Sequence, residues 1–177
     1  MTDIRPATAD DLPRIEQIYD AIHTAEETGT ASVGWARGVY PTRATAQAAL
    51  DDGALFVLED DGDLVAAGRI DRTQVPVYAQ VPWQYAAPPE QVLVLHTLAV
   101  DPAAAGRGYG TQFVRFYAQR ARALGCTVLR IDTNAKNAAA RRLYARLGFC
   151  EAAIVPCTFN GIAGVELVCL EKRLDAE

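Results

Sequence analysis

Three glycines at alternate positions, Gly106, Gly108 and Gly110, form a pattern that could do chemistry. They follow the apolar run QVLVLHTLAV and open a segment with helical spacing. Glycine loses more conformational entropy on folding than other residues, so a cluster indicates a backbone task that side chains would block. One such task is to wrap an anion at a helix N-terminus, where amide groups converge. A tight turn without a ligand is the alternative.

Two familiar phosphate-binding motifs do not fit this loop. The P-loop pattern G-x-x-x-x-G-K-[ST] requires a lysine, and none follows these glycines. The dinucleotide pattern G-x-G-x-x-G requires glycine at position 111, which is Thr111, and an early strand–helix–strand unit. The surrounding elements must therefore indicate what the loop binds.

Those elements follow from the periodicity of the apolar residues. Strands are predicted in DIRPA, in two runs around Asp61-Gly62, in QVLVLHTLAV, in TVLRIDT and in two runs around Asn160-Gly161. Helices are predicted in TADDLPRIEQIYDAIHTAEETG, TRATAQAALDDG, YGTQFVRFYAQRARALGC and NAAARRLYARLGF. Residues 73–90, rich in proline and aromatic residues, are predicted to be an irregular insertion.

The order of these elements predicts an α/β (α+β) fold. The hairpins predict antiparallel pairing, and the strand–helix–strand units of the second half predict local parallel pairing. The result is a mixed sheet with helices on both faces. A length of 177 residues suits a single domain, 1–177.

Composition excludes several classes of protein. The net charge of −5 provides no basic surface for nucleic acid or an anionic membrane. The N-terminus lacks the apolar run of a signal peptide, and no stretch reaches a transmembrane length. The four cysteines form no C-x-x-C pair, so we expect buried, reduced thiols in a cytoplasmic protein and no metal site. They are Cys126, Cys150, Cys157 and Cys169.

Two motifs together carry a family resemblance. The run LHTLAVDPAAAGRGYGTQFV, followed later by NAAARRLYARLGF, resembles the GNAT superfamily of acyl-CoA-dependent N-acyltransferases. The element order matches that fold over nearly the whole chain. The resemblance implies a mostly antiparallel central sheet whose strands splay at a cofactor cleft. It also implies acetyl-CoA as cosubstrate, and direct attack by a primary amine of a small molecule in a ternary complex.

The resemblance also assigns backbone groups to the cofactor. The family loop usually opens with Gln or Arg where this chain has Ala105, which leaves the amides in place. Those amides would hold the pyrophosphate, while a strand and an asparagine would contact the pantetheine arm. The implied cofactor-binding residues are Leu98, Ala99, Val100, Arg107, Gly108, Tyr109, Gly110, Thr111 and Asn137.

Two residues are candidates for catalysis. In the family, the tyrosine matching Tyr144 donates a proton to the leaving thiolate, a task that suits a neutral phenol. The alternative is an ordinary core aromatic, since Tyr144 continues the apolar stripe of its helix. His96 resembles a histidine of the proton-removal path in serotonin-type acetyltransferases, although their second histidine is Val94 here. The alternative is a histidine satisfied by a neighbour in the sheet.

The position of His96 depends on strand alternation, which predicts one shared face for Val94, His96, Leu98 and Val100. The carboxylates held in reserve as bases are Glu27, Glu90 and Asp132. The stretch VPCTFNGIAG is also expected to approach the site, where Cys157 is a candidate nucleophile.

Aromatic side chains are expected to line the acceptor site, because rings at a pocket mouth hold apolar groups or cations. The predicted substrate-binding residues are Trp35, Tyr40, Trp83 and Tyr85, with Tyr78 in the same group. Two other functions stay open: a non-catalytic acyl-CoA sensor, and an acetyltransferase of protein N-termini or lysines. A homodimer is one option for the oligomeric state.

Overall fold

The strand signals of the sequence join into one seven-stranded sheet in the computed structural model, which describes residues 1–175. The strands are β1 (Thr2–Pro6), β2 (Leu55–Asp60), β3 (Asp63–Asp71), β4 (Val92–Val100), β5 (Val128–Asn134), β6 (Cys150–Phe159) and β7 (Ile162–Arg173). Their order is β1-β2-β3-β4-β5-β7-β6, and only β4 and β5 pair in parallel. The predicted mixed, mostly antiparallel sheet is confirmed.

Parallel pairing joins fewer strands than the sequence predicted. The unit β4–helix–β5 is parallel, whereas β5 and β6 do not pair. The turn at Asn160-Gly161 folds β7 back between them, and β7 pairs with all of β5, from Val128 to Asn134. Because antiparallel neighbours need only a short connection, this hairpin inserts without a further crossover.

Helices cover both faces of the sheet, as predicted. They are α1 (Leu12–Glu27), α2 (Arg43–Asp51), α3 (Tyr109–Ala123) and α4 (Ala138–Arg146). The apolar stripe of α1 packs with α2 against one face, where Ile15 and Ile18 are fully buried. Helix α3 buries Phe113 and Tyr117 against the other face, and α4 adds Tyr144 to that core. The two faces of the sheet therefore carry separate apolar cores.

Residues 73–90 form the predicted irregular insertion. They contain short 3-10 turns at Pro76–Gln80 and Pro89–Gln91 and cover the sheet with a third apolar cluster around Tyr78.

The cysteines are free, and their burial differs from the expectation. Cys126 and Cys169 are buried, whereas Cys150 is exposed and Cys157 half-buried, because both of the latter lie on the edge strand β6. Within residues 1–175 no group of side chains could hold a metal ion. Nor is any helix in that range both long enough and apolar enough to cross a membrane.

Candidate active site

The site begins where β4 and β5 part. Their parallel pairing ends at Leu95 and Ile131, although β4 continues to Val100 and β5 to Asn134. Beyond that pair, no residue in the described range 1–175 pairs with the β5-facing edge of β4. A polar backbone edge thus faces a gap between the two central strands.

A bulge in β4 changes which side chains face that gap. Thr97 has a φ of +53°, and Thr97 and Leu98 together lie opposite Gly68 of β3. An extra residue reverses the alternation of a strand. Leu98 and Val100 therefore pack with the α3 core, on the face opposite His96. The expectation that His96, Leu98 and Val100 share one face is wrong.

The glycine loop opens α3 as the sequence predicted. Gly106 and Gly108 have φ values of +80° and +82°, which disfavour any residue with a Cβ. Gly110 has a different reason, since a Cβ there would lie 3.1 Å from Leu143 of α4. Within the described chain, no acceptor bonds the amides of residues 107–111. Five successive free amides at a helix start present the donors that an anion would require.

A cleft of about 710 Å³ joins this loop to the gap between the strands. Its walls are the glycine loop, the ends of β4 and β5, α4 and the loop between α1 and α2. The predicted residues that line it are Leu98, Val100, Gly108, Tyr109, Gly110, Thr111, Asn137, Tyr144, Trp35 and Tyr40. Ala99 is buried in the α1–α2 core, and the Arg107 side chain lies outside, near Asp60.

Tyr144 and Asn137 occupy the α4 wall of the cleft. Asn137 is the N-cap of α4, where its Oδ1 accepts from the amide of Ala140 at 3.1 Å. Tyr144 is buried, and its ring packs against Phe149 at 5.9 Å. Burial, and then the negative charge of Asp132, raises the pKa of the Tyr144 phenol. The phenol therefore stays protonated at neutral pH and can act only as a proton donor there.

A second cavity, of about 280 Å³, lies on the α1–α2 face of the sheet. It meets the cleft at residues that line both spaces: Tyr40, Thr97, Asp132, Phe159 and Asn160. The tyrosine and threonine hydroxyls are hydrogen-bonded to each other across this junction. Phe159 and Asn160 come from the β6–β7 turn, so the stretch VPCTFNGIAG does reach the site.

Three polar residues cross the floor of the second cavity on adjacent strands. Arg69 of β3 is the register partner of His96 on β4. Asp132 is the next residue of β5 after the last β4–β5 pair, so it stands beside His96. All three line the cavity. Strand spacing places Arg69 and His96 about 4.8 Å apart at the backbone, whereas His96 and Asp132 lie on opposite sides of the opening gap.

Asp132 is the carboxylate at the junction. Its Oδ2 accepts a hydrogen bond of 2.7 Å from the hydroxyl of Tyr78. Burial raises the pKa of Asp132, and the opposing effects of Tyr78 and His96 do not cancel that rise. A carboxylate whose pKa is raised toward neutrality is a better base than an ordinary one.

His96 is oriented by a second carboxylate. Its Nε2 lies 3.2 Å from Oδ1 of Asp71. Although burial opposes it, hydrogen bonds from His96, the Thr73 amide and Arg69 hold the pKa of Asp71 well below its usual range. Because ionised Asp71 can only accept, Nε2 carries the hydrogen and Nδ1 carries the lone pair of the neutral ring.

Several predicted residues are not brought to either space. Trp83 and Tyr85 pack in the third apolar cluster and line neither the cleft nor the second cavity. Glu27 is exposed and paired with Arg37, and Glu90 is exposed on its 3-10 turn. Burial, and then the nearby Asp132, raises the pKa of Cys157, which disfavours the thiolate that a nucleophile needs.

Sequence reasoning missed Thr97 as a site residue and the contact between Tyr78 and Asp132. Thr97 carries no local signal, because a β-branched residue is rare at positive φ. Tyr78 and Asp132 are far apart in sequence, so no local pattern joins them.

Comparison with protein families decides the relationship. Residues 13–149 match the model of the acetyltransferase (GNAT) family. The chain belongs to this family. It is therefore an acyltransferase that uses acetyl-CoA. A comparison with curated proteins gave no significant match.

Solved structures share this GNAT fold. A GNAT acetyltransferase from Streptococcus agalactiae has a TM-score of 0.83 at 22% identity, covering 99% of this chain and 96% of its own. An acetyltransferase from Salmonella typhimurium, with its cofactor acetyl-CoA, has a TM-score of 0.70 at 21% identity, covering 100% and 96%. A ribosomal-protein alanine N-acetyltransferase from Escherichia coli has 0.69 at 20%, covering 100% and 96%. At these identities the likeness shows the fold.

The cleft fits acetyl-CoA on its own geometry. The free amides of residues 107–111 suit a pyrophosphate, and a Cβ at Gly106 or Gly108 would meet no atom within 4 Å, so the space before them is open. The unpaired β4 edge suits an arm that forms amide hydrogen bonds. The residues therefore match the cosubstrate of the GNAT family.

We expect Gly108→Val to abolish the rise in melting temperature that acetyl-CoA produces. Saturating ligand should raise the wild-type Tm by about 5 to 10 °C, because it binds only the folded chain. A Val side chain would fill the space before the amides. Gly125→Val is the matched control, since Gly125 ends the same helix with a φ of +73° and an equally open Cβ position.

Both glycine variants should lower the Tm of the free protein through the same backbone strain. Only Gly108→Val should lose the ligand shift in differential scanning fluorimetry. An equal shift in both variants would place the cofactor elsewhere.

Proposed function

We propose that this enzyme transfers an acetyl group from acetyl-CoA to the primary amine of a small molecule, by direct attack in a ternary complex. The observation that carries the proposal is the junction at Asp132, where a cofactor-sized cleft opens into a second, small cavity. A donor in the cleft and an acceptor in the cavity would meet through the gap between β4 and β5. Both reactants can then be bound at once, as direct transfer requires.

The size and charge of the second cavity support a small cationic acceptor. Among the described residues, Arg69 is the only lysine or arginine that lines it, and its Nε and Nη2 donate to Asp71 at 2.6 Å and Asp52 at 2.7 Å. Since two carboxylates already neutralise Arg69, the charge left facing the cavity is that of Asp132. This field attracts an ammonium ion and repels an added carboxylate.

Asp132 is the proposed proton acceptor. An ammonium has no lone pair, so a proton must leave before the nitrogen can attack a thioester carbon. The Oδ1 of Asp132 receives no hydrogen bond from residues 1–175, so this oxygen is free for the incoming amine. His96, held by Asp71, is the second proposed acceptor, one strand away.

Tyr144 is the proposed proton donor. It lies on the α3 face of the sheet, opposite the face that carries the second cavity. Acetyl-CoA supplies the acyl group as a thioester, and transfer forms a C–N bond while the C–S bond breaks. The ammonium gives up two protons in total. One leaves through Asp132 to solvent, and the other replaces, by way of solvent, the proton that Tyr144 gives to the departing sulfur. The backbone amides of the glycine loop are the proposed pyrophosphate contacts, with the main chain of Leu98 to Val100 and Asn137 along the arm.

A panel of amines tests the proposal, with release of free thiol from acetyl-CoA as the readout and mass spectrometry of the product. The panel pairs each amine with its α-carboxylated counterpart, such as phenethylamine with phenylalanine and isoamylamine with leucine. It also includes a peptide with a free N-terminal alanine. We expect the simple amines to exceed their carboxylated counterparts in kcat/KM by about three- to thirtyfold, from charge repulsion across the small cavity.

A higher kcat/KM for the peptide than for the amines would instead support a protein N-terminus as the acceptor. Thiol release that no amine of the panel increases would contradict a small primary amine as the acceptor.

A further inference from the structure

The insertion at residues 73–90 contacts Asp132, the proposed base, through a residue that lines neither cavity. Tyr78 lies on the Pro76–Gln80 turn and is buried, and its hydroxyl donates to Oδ2 of Asp132 at 2.7 Å. Tyr78 lines neither the cleft nor the second cavity. Its phenol can therefore act on the reaction only through the carboxylate that it contacts.

Trp83 holds Tyr78 in place. The indole Nε1 donates to the carbonyl oxygen of Tyr78 at 3.0 Å, and the two rings meet edge to face at 5.1 Å. The guanidinium of Arg130 also lies over the Trp83 ring, 4.2 Å from its centre. The edge-to-face contact packs the Tyr78 ring, and the hydrogen bond holds its backbone, which together leave Tyr78 few alternative rotamers.

Two buried charges fix the rest of the insertion to the sheet. Glu171 of β7, which is 1% exposed, accepts from the amides of Gln84 at 2.7 Å and Tyr85 at 3.2 Å. Arg130 of β5 donates to the carbonyl oxygen of Tyr85 at 3.3 Å. Burying such groups is costly unless they are paired, so this arrangement specifies one position for the insertion.

We infer that Tyr78 is a positioning residue for Asp132, and that the insertion of residues 73–90 holds its hydroxyl against that carboxylate. The inference rests on the proposed role of Asp132 as proton acceptor. It gives Trp83 a part in the reaction other than the substrate contact predicted from the sequence.

The hydrogen bond has two consequences for Asp132. It fixes the carboxylate so that Oδ2 points to the insertion and Oδ1 remains for the amine. It also stabilises the ionised form, and so opposes the rise in the pKa of Asp132 that burial causes. Without the hydroxyl, the carboxylate should hold its proton to a higher pH.

Other titratable groups surround Asp132, and most of them stay protonated near neutral pH. Burial raises the pKa of Tyr40 and of Cys169 to about 12, and also raises those of Tyr144 and Cys157. They come respectively from the α1–α2 loop, β7, α4 and β6. His96 of β4 is the neighbour that lowers the pKa of Asp132 by its charge, so the experiment must separate its effect.

Tyr78→Phe is the test, read as the pH profile of kcat/KM for the best amine of the panel. We expect the enzyme limb to move upward by about one to two pH units, with the plateau at high pH close to the wild-type value. Two amines of different basicity identify the enzyme limb, since it does not move with the amine. Asp132→Asn and His96→Gln, measured in parallel, assign that limb to one of the two residues.

Tyr117→Phe is the matched control. Its buried hydroxyl lies 3.0 Å from the carbonyl oxygen of Arg130, two residues before Asp132 on the same strand. This variant loses a buried phenol hydrogen bond near the site, yet its limb should stay where it is. Trp83→Phe keeps an aromatic ring but removes the hydrogen bond to Tyr78, and should move the limb upward by a smaller amount.

The outcomes separate this inference from the proposed function. If Asp132→Asn removes the limb but Tyr78→Phe leaves it in place, the inference is wrong and the base assignment stands. If Tyr78→Phe lowers kcat/KM equally at every pH, Tyr78 is only a packing residue. If the limb survives in Asp132→Asn, the base assignment is wrong and the inference falls with it.

Discussion

Replacing Asp132 with asparagine is expected to lower kcat/KM for amine acetylation by about 10²- to 10⁴-fold. Asparagine keeps the shape and can still accept the hydrogen bond from Tyr78, but it cannot take up a proton. Burial raises the pKa of Asp132 in the folded protein, and only the ionised carboxylate accepts a proton. The wild-type kcat/KM should therefore rise as the pH rises through that pKa, and the variant should lack this rise.

The stability of the same variant provides its internal control. A carboxyl whose pKa is higher in the folded than in the unfolded chain favours folding most at low pH. That advantage is present below the unfolded pKa of about 3.9 and is lost as the pH rises through the folded value. Asparagine has no charge to bury, so at neutral pH the Tm of the variant should equal or exceed that of the wild type.

His96→Gln is the comparison that could contradict this assignment. If His96 is the acceptor, its substitution removes the enzyme limb, and Asp132→Asn keeps one. A fall in both activity and Tm of Asp132→Asn would instead indicate a structural role for the carboxylate.

Local patterns predicted most of the fold. The turns at Asp61-Gly62 and Asn160-Gly161 place residues 61 and 160 at φ values of +51° and +52°, where aspartate and asparagine are favoured among residues other than glycine. The hairpins they close could therefore be identified without tertiary information. The position of β7 between β5 and β6 could not, because which edge a hairpin joins depends on distant strands.

The conformation of the glycine loop was predictable for the same local reason. Gly106 and Gly108 adopt positive φ values, and Gly110 allows α4 to approach, so each glycine has a backbone cause. The bulge at Thr97 has no corresponding signal in the sequence. It reversed the faces of Leu98 and Val100 relative to His96, a change that the regular period of two in a strand does not anticipate.

The aromatics of residues 73–90 show where composition misleads. Because these aromatic residues flank segments of the predicted pocket, they suggested substrate contacts. In the structure, Trp83 and Tyr85 instead pack on the sheet beside Arg130 and Glu171. What places them there is a pair of buried charges from β5 and β7. Those charges are distant in sequence, and a buried arginine or glutamate resembles a surface residue in a sequence.

Tyr144→Phe is expected to lower kcat by about 10²-fold or more while the acetyl-CoA shift in Tm stays near the wild-type value. The substitution removes only the hydroxyl, and the phenylalanine ring keeps its packing against Phe149. Burial raises the pKa of the phenol, so the wild-type side chain is fully protonated at the working pH and can serve as the donor. The measurement is the rate of thiol release at saturating amine and acetyl-CoA, beside scanning fluorimetry with and without acetyl-CoA.

Tyr117→Phe gives the opposite pattern and so serves as the control for Tyr144→Phe. Its hydroxyl lies 2.6 Å from the carbonyl oxygen of Leu93, in the core that also holds Tyr144, but it lines neither cavity. Loss of that buried hydrogen bond should lower the Tm and leave kcat unchanged. A Tyr144→Phe enzyme with wild-type kcat would make Tyr144 a core residue, and the proton for the leaving sulfur would then have to come from solvent.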